Sequence, residues 1–545
     1  MNSGKLKLGI LLDSYQIPAW IYHSLERVVN SSQVEILMVI LNEKKNFEDA
    51  NGRNLRNRRT VLYELFNKTD ERIFISGPNA LEIMNAEKLL SSIPVIKVKP
   101  LKREMTYYIE PSDIDEIREI GLDIFVKIGF GMLRGDILTA SKYGVWTYWF
   151  EGYPPGFWEV VKGQPETKSY LLILDEEANG GRTIYHSSTS TYPFSPARNR
   201  NRSLWLASSF LPRQIALLHR LGEKGFFATI KKYEQVKPPL QQKSPTPPSN
   251  LLSLWLVATL LAKNIIEIFR RNYYLDGWFL LFDMNAPGSM SFGNYKKIIP
   301  PKDRFWSDPH VIQKNGNYYV FVEEFTHDTK KGHISVIVVD QQGNPSDPVR
   351  VLEKEYHLSY PYVFRWKDKV YLIPESADNR SIDLYECLEF PVRWVHKITL
   401  MQNIKAVDTT VLFAQGKWWL FTGVAENEAA FPEVELFLFF SDNLFTSEWT
   451  SHPKNPIVSD LRSARSAGRI FAKDGKLFRP SQNCSKSYGY GFNLNEILVL
   501  SETDYEEKTV VSVIPWDKSL EATHTYSVEG KFTVIDAFTK RRKFL

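Results

Sequence analysis

A short pattern recurs along the second half of the chain and limits what it can fold into. Val311, Gly316, Tyr319 and Phe321 reappear as Val363, Asp368, Tyr371 and Ile373, then as Val411, Gly416, Trp419 and Phe421, and again as Ile470, Gly475, Phe478 and Pro480. A weaker fifth copy surrounds Gly530. Each copy reads as strand, tight turn, strand. Repeats of roughly 50 residues built this way point to propeller blades, and five of them fill the chain from Trp278 to its end. The strand Trp278–Asp283 would close the ring by joining the last blade. The other reading of the same strands is an open antiparallel sandwich. The aromatic content, 13%, suits a large β core and equally a carbohydrate-handling protein.

The first 230 residues alternate strand and helix signals instead. Leu6–Leu12, Val34–Leu41, Ile93–Val98, Ile124–Ile128 and Leu171–Asp175 read as strands. Trp20–Val29, Pro111–Ile120 and Ser203–Leu221 read as helices. That alternation predicts a parallel sheet with right-handed crossovers. Residues 236–250 carry Pro238, Pro239, Pro245, Pro247 and Pro248 and read as a semi-stiff linker. Leu251–Arg271 follows, apolar first and basic last. It is expected to be one helix docked on a neighbouring domain, the alternative being a helix at a membrane surface with Arg270 and Arg271 at the headgroups. The expected organisation is an α/β domain over 1–235, a linker and helix over 236–277, and an all-β five-bladed propeller over 278–545.

Composition excludes several classes. A net charge of +5 is too mild to argue for nucleic acid, and Lys540-Arg541-Arg542-Lys543 reads as a solvated tail. Two cysteines, Cys387 and Cys484, allow neither a disulfide framework nor a four-cysteine zinc site. The ten histidines show no metal-ligand spacing, so no metal is expected. No Gly-x-Gly-x-x-Gly opens a helix and there is no P-loop. The apolar run Leu8–Leu12 stops at Asp13, too short for a signal-peptide core, so a cytoplasmic location is the default expectation. No stretch reaches the roughly 20 unbroken apolar residues that span a bilayer.

Residues 121–181 resemble the catalytic half of folate-dependent formyltransferases. The likeness rests on Asp123-Ile-Phe-Val-Lys-Ile-Gly-Phe-Gly-Met-Leu, Gly144-Val-Trp-Thr-Tyr-Trp, Gly156-Phe-Trp-Glu and Asp175-Glu-Glu-Ala-Asn-Gly-Gly. It implies a formyltransferase-like fold over 1–230. That family's chemistry uses an Asn, a His and an Asp, and the corresponding positions here hold Thr147, Trp149 and Asn179. Trp cannot relay a proton and Asn cannot act as a base. The resemblance therefore implies a catalytically degenerate domain, unless a neighbour such as His186 or Glu151 substitutes. The aromatic cluster Trp146, Tyr148, Trp149, Phe150, Tyr153, Phe157 and Trp158 suits sugar stacking or a core.

The C-terminal part resembles two families. Phe305-Trp-Ser-Asp-Pro-His and Val407-Asp-Thr-Thr-Val are similar to motifs of five-bladed glycosidase propellers of the arabinanase and xylosidase type. That likeness implies Asp308 as base or nucleophile and Asp408 as the carboxylate that tunes pKa. Both lie three residues before the repeat's Val. The same slot holds Tyr360 in the second copy and Ala467 in the fourth, where the family's acid Glu is expected, flanked by Arg465 and Arg469. Glu323 and Glu375 share another slot and could supply a displaced acid, or pair blades structurally; Glu496 is a further candidate. The second resemblance is to the propeller domain of plant glucosamine inositolphosphorylceramide transferases. It is carried by Phe305-Trp-Ser-Asp-Pro-His-Val, Ser463-Ala-Arg-Ser-Ala-Gly-Arg, Phe478-Arg-Pro-Ser-Gln-Asn-Cys and Tyr488-Gly-Tyr-Gly. It implies a glycan or glycolipid setting.

Asp308, Asp408 and Glu375 are thus the expected catalytic carboxyls. Trp306, His310, Glu323, Arg465, Arg469, Arg479, Gln482, Asn483 and Tyr490 are the expected substrate-binding groups. The expected function is carbohydrate modification or glycosyl transfer in surface-polysaccharide or glycolipid synthesis, on a sugar, nucleotide-sugar or glycolipid, with no cofactor. One alternative is a non-catalytic glycan-binding scaffold. The other is a sugar-amine N-formyltransferase with an altered triad, which alone would need 10-formyltetrahydrofolate. On the catalytic reading, Asp308→Ala should abolish turnover and leave the melting temperature nearly unchanged.

Overall fold

A computed structural model describes residues 4–43, 60–103, 106–152, 154–176, 181–233, 235–236, 248–284, 290–427 and 430–543. Tyr153, Asn179 and most of the Pro-rich segment lie outside the described residues. The chain forms two compact units, Met1–Asn264 with Asn427–Ala430, and Ile265–Glu426 with Phe431–Leu545. The division falls inside the helix Asn250–Tyr273.

In the first unit the apolar runs become strands of a seven-stranded sheet. Its spatial order is Arg182–Ser190, Glu166–Ile173, Val145–Phe150, Ile124–Lys127, Leu6–Leu12, Val34–Asn42, Val95–Val98. The last five are mutually parallel. The first two are antiparallel, so the sheet is mixed rather than parallel throughout. The connection from Ile173 to Arg182 is too short for a crossover, which needs a dozen residues or more, and a hairpin is what remains. The single helix expected over Ser203–Leu221 is two, Pro196–Ala207 and Phe210–Ile230. Ser195 caps the first by accepting a hydrogen bond from the Arg198 amide, with Pro196 preset for the opening turn.

The helix Asn250–Tyr273 is long and apolar enough to cross a membrane, by length and composition only. Counting unbroken apolar residues missed it because Lys263, Asn264 and Glu267 interrupt the run in sequence. Only Ser253, Leu256 and Leu260 along it are buried, so docking on neighbouring structure covers one stripe rather than the helix.

The second unit is five antiparallel sheets in a closed ring. The first four run in chain order over 304–352, 359–402, 406–459 and 471–513. The fifth combines the strands Tyr274–Asp283 and Lys296–Ile298 with Tyr526–Glu529 and Phe532–Arg542. Tyr274–Asp283 pairs antiparallel with Phe532–Arg542, which closes the ring as the sequence predicts. Each pair of neighbouring sheets shares a core. Phe321 and Ile334 meet Leu358 and Val363, Tyr360 and Tyr371 meet Val411 and Trp418, and Phe421 and Leu438 meet Ile470 and Leu500. Phe492 and Leu494 then meet Phe279 and Tyr526, and Phe282 and Phe532 meet Val311 and Val320. The repeat exists because a strand sandwiched between two sheets must be apolar on both faces.

Gly468 allows the fourth sheet to approach the fifth. Its φ is 137°, and a Cβ there would stand 2.0 Å from the Tyr526 carbonyl oxygen. The Tyr526 amide in turn donates to the Ala467 carbonyl. Gly468→Ala is expected to cost on the order of 3 kcal/mol of stability, measured by urea unfolding.

Candidate functional site

The slot three residues before the repeat's Val is a bulge. Asp308, Tyr360 and Asp408 have φ of 52°, 39° and 50°, and the register of each inner strand slips at that point. Non-glycine residues rarely adopt this conformation, and bulges of this kind re-aim side chains beside functional sites. A bulge frees its amide from the ladder, and here each freed amide finds a side chain on another sheet. Asp308 N–H donates to Asp536 Oδ2 at 3.1 Å, Tyr360 N–H to Asp308 Oδ2 at 3.3 Å, and Asp408 N–H to Glu375 Oε2 at 3.3 Å. In the fourth sheet Gly468 N–H donates to the Tyr360 hydroxyl at 2.9 Å. The carboxyl groups thus knit the inner strands together.

His524 sits between two buried carboxylates. Its Nε2 is 3.0 Å from Asp308 Oδ1 and its Nδ1 is 3.1 Å from Asp536 Oδ2. Burial alone would lower the imidazole pKa, but the charges of Asp536 and Asp308 overcome it and raise it to about 10, so His524 is a buried cation at neutral pH. Burial would likewise raise Asp308. The charge and hydrogen bond of His524, with Arg465 and the Thr525 hydroxyl at 3.0 Å, outweigh burial and hold Asp308 ionised below the usual carboxylate range. Among the described residues these three also form a group close enough to hold a metal ion, with ligand atoms within 4.8 Å of one another. In the structure the imidazole supplies the positive charge between the two acids.

A folded-state pKa raised from 6.5 means that the stability contributed by His524 is complete below about 6.5 and is lost as pH rises through about 10. Unfolding free energy is therefore expected to fall between pH 7 and 10. Glu323, whose pKa burial raises to about 8, adds a fall in the same direction between its ordinary range and pH 8. In His524→Gln the loss between pH 8 and 10 should be smaller than in the wild type, what remains coming from buried groups such as Cys387 and Cys484 whose pKa values burial also raises, as read by urea unfolding at each pH.

The second cluster surrounds Asp408. Arg465 Nε donates to Asp408 Oδ2, Arg465 Nη2 reaches Asp408 Oδ1 at 3.3 Å and Glu375 Oε2 at 3.4 Å, and Gln482 Nε2 donates to Asp408 Oδ2 at 3.0 Å. The Arg465 guanidinium also lies over the Tyr488 ring at 4.9 Å. Burial, then the charge of Asp408, push the Glu375 carboxyl well above its ordinary value despite Arg465. Burial does the same to Glu323, helped by the charge of Asp308 and opposed by the Ser307 hydroxyl. Glu323 Oε2 accepts from Ser307 Oγ at 2.7 Å, and its Oε1 is 3.4 Å from His357 Nε2. The unit therefore holds an ionised Asp308, a proton-bearing Glu323 and a Glu375 whose carboxyl is shifted in the same direction as Glu323.

Asp408, Glu375, Arg465 and Gln482 are linked by these contacts, and Asp308 belongs to the cluster of His524 and Asp536. The other expected groups are placed differently. His310 is fully buried, its Nδ1 3.2 Å from the Asp308 carbonyl, and burial lowers its pKa to about 4, which leaves it neutral. Trp306 is packed in the core between the fifth and first sheets. Arg469 reaches Glu529 at 2.8 Å and the Val311 carbonyl at 2.5 Å. Arg479 makes a two-pronged pair with Glu507 at 2.8 and 2.6 Å, and Glu496 pairs with Lys476 at 2.8 Å. Asn483 Oδ1 accepts from the Ser485 amide at 3.1 Å, and Tyr490 lies under Lys486 at 4.9 Å.

Sequence reasoning missed His524 and Asp536. Aligning Gly530 with Gly316 puts Thr525 where the repeat has Val311 and Asp536 where it has Val322. Thr525 and the acid Asp536, each in a slot that is apolar in the first copy, were the available signal.

In the first unit, Thr147 is buried and its hydroxyl donates to the Lys127 carbonyl at 3.3 Å. Trp149 pairs across strands with Tyr170, whose hydroxyl donates to Glu151 at 2.7 Å. Trp146 is stacked on Phe226 and Phe157 packs on Tyr63, so these rings are core.

The family described as "Glucosamine inositolphosphorylceramide transferase 1, N-terminal" matches residues 297–528. The proteins named glucosamine inositolphosphorylceramide transferase 1 from Oryza sativa subsp. japonica and Arabidopsis thaliana are each 31% identical, over 209 and 210 residues. The match takes in 38% of this chain but 28% and 27% of theirs, so the chain spans under a third of those relatives' length. Among solved structures, an α-L-arabinofuranosidase from Podospora anserina in complex with cellotriose aligns at a TM-score of 0.34 and 10% identity, over 49% of this chain and 97% of that one.

Proposed function

We propose that the five-sheet unit binds a sugar-bearing substrate, in the class of glycolipids or activated sugars, and transfers a glycosyl group. The observation that carries this reading is the opposed protonation of neighbouring carboxyls. Asp308 is held ionised by His524, while burial raises the Glu375 and Glu323 carboxyls. Environments that push titratable groups apart are how one site supplies acid and base at one pH. In the proposed reaction the Glu375 carboxyl protonates the leaving oxygen as its bond to the sugar breaks. The Asp308 carboxylate takes the proton of the accepting hydroxyl as that oxygen bonds to the sugar carbon. Arg465, Gln482 and Asp408 hold Glu375 in place. The names borne by the similar plant proteins agree with a glycolipid substrate. The test is product formation in a glycolipid extract, wild type against Glu375→Gln.

A second reading has its own support. The Asp308 and Asp536 oxygens already accept internal hydrogen bonds, as a purely architectural acid would. That reading is a glycan-binding scaffold, and it predicts saturable sugar binding without turnover. Formyl transfer in the first unit is supported only by the sequence likeness, and it would require 10-formyltetrahydrofolate to bind.

A further inference from the structure

The helix Asn250–Tyr273 carries a face that the fold leaves uncovered. Projected at about 100° per residue, its buried Ser253, Leu256 and Leu260 form one stripe. All four charged side chains, Lys263, Glu267, Arg270 and Arg271, fall on that stripe or at its edge. The opposite half of the helix has no charge from residue 251 to 269. Leu251, Leu254, Trp255, Leu261, Ile265 and Phe269 line it, each between 52% and 83% exposed. The Thr259 hydroxyl is bonded back to the Trp255 carbonyl at 2.9 Å. From Leu251 to Phe269 the face is about 27 Å long. Single exposed apolar residues need no explanation, but a continuous face of this size marks an interface.

We propose that this helix lies in the plane of an anionic lipid surface and anchors the protein there. Three observations choose lipid as the occupant. The face is uniformly apolar, without the polar pattern that would register a protein partner. Trp255 and Tyr273 are exposed on it, and such rings favour the headgroup boundary. Lys263 and Arg270 flank it on one side, where long cationic side chains can reach headgroup phosphates, Arg270 lying also 3.6 Å from Glu521.

The helix lies along the membrane rather than across it. The Asn250 side chain accepts from the Leu62 amide at 3.0 Å, Leu256 packs on Tyr63 and Phe157, and Asn264 Nδ2 donates to the Phe194 carbonyl at 3.1 Å. Folded protein thus follows the helix for about 21 Å, and lipid cannot surround it there. This anchor stands independently of the proposed glycosyl chemistry.

The test is flotation of the full chain with vesicles of phosphatidylcholine, alone or mixed with phosphatidylserine. The wild type is expected to float with the mixed vesicles and less with phosphatidylcholine alone. Leu254→Gln/Ile265→Gln/Phe269→Gln should lower the vesicle-bound fraction by at least about tenfold, with melting unchanged because all three side chains are exposed. Leu261→Gln alone gives a milder loss in the same direction should the triple variant fold poorly. Lys263→Gln/Arg270→Gln should bring binding to mixed vesicles down to that on phosphatidylcholine. A wild type that stays at the bottom with both compositions overturns the proposal, as does a triple variant that floats equally well. A concentration-dependent dimer dispersed by the triple variant, without vesicle binding, would assign the face to a second copy and likewise overturn it.

Discussion

Replacing Glu375 by glutamine is expected to lower turnover by about 10²–10⁴-fold, the range of a lost general acid, while shifting the melting temperature by less than about 2 °C. The two halves have one cause. Burial and Asp408 raise the Glu375 carboxyl and so favour its neutral form, which glutamine matches in charge and shape while still accepting from the Asp408 amide. It cannot release a proton to a leaving group. Thermal melting and product formation measured on the same preparation separate the roles. Turnover that survives the change would make Glu375 architectural. Asp308→Ala separates nothing, contrary to what the sequence suggests. Asp308 is buried, so alanine there strands the Tyr360 amide and leaves the His524 cation with one acid, at about 1–3 kcal/mol for each unmet group.

Arg465→Met is expected to destabilise the five-sheet unit by about 3–5 kcal/mol, a drop in melting temperature on the order of 10 °C. Arg465 is buried and bonded through two of its nitrogens to Asp408, with Glu375 beside it. Removing it leaves Asp408 as a buried charge with Gln482 as its remaining side-chain donor in this cluster. Because most of the cost is that stranded charge, Arg465→Met/Asp408→Asn should recover a large part of the loss. A double variant no more stable than Arg465→Met would show that the guanidinium acts through packing on Tyr488 instead.

The repeat made the ring legible because each inner strand meets the same two apolar neighbours, so Val311, Val363, Val411 and Ile470 recur. The shared slot of Asp308, Tyr360 and Asp408 was also readable as a position. That it is a left-handed bulge was not, because Asp and Tyr carry no glycine signal. His524 and Asp536 escaped notice because the fifth sheet mixes strands from both ends of the unit, so no local pattern shows what His524 bridges. Arg465 has a partner that spacing did not show. It reads as a ligand-binding group, and the fold spends it on Asp408. In the first unit the mixed sheet was hidden in a short connection. The long helix was hidden by polar residues that fall on one side of it.

The most direct test of sugar chemistry in the five-sheet unit is mass spectrometry of a glycolipid and activated-sugar extract. The extract is incubated with wild type or Glu375→Gln, each with and without 10-formyltetrahydrofolate. The account predicts a glycosylated product that needs the wild-type protein, is lost with Glu375→Gln and does not depend on the folate. A product formed equally by both proteins, or a formyl increment that requires the folate, would contradict it.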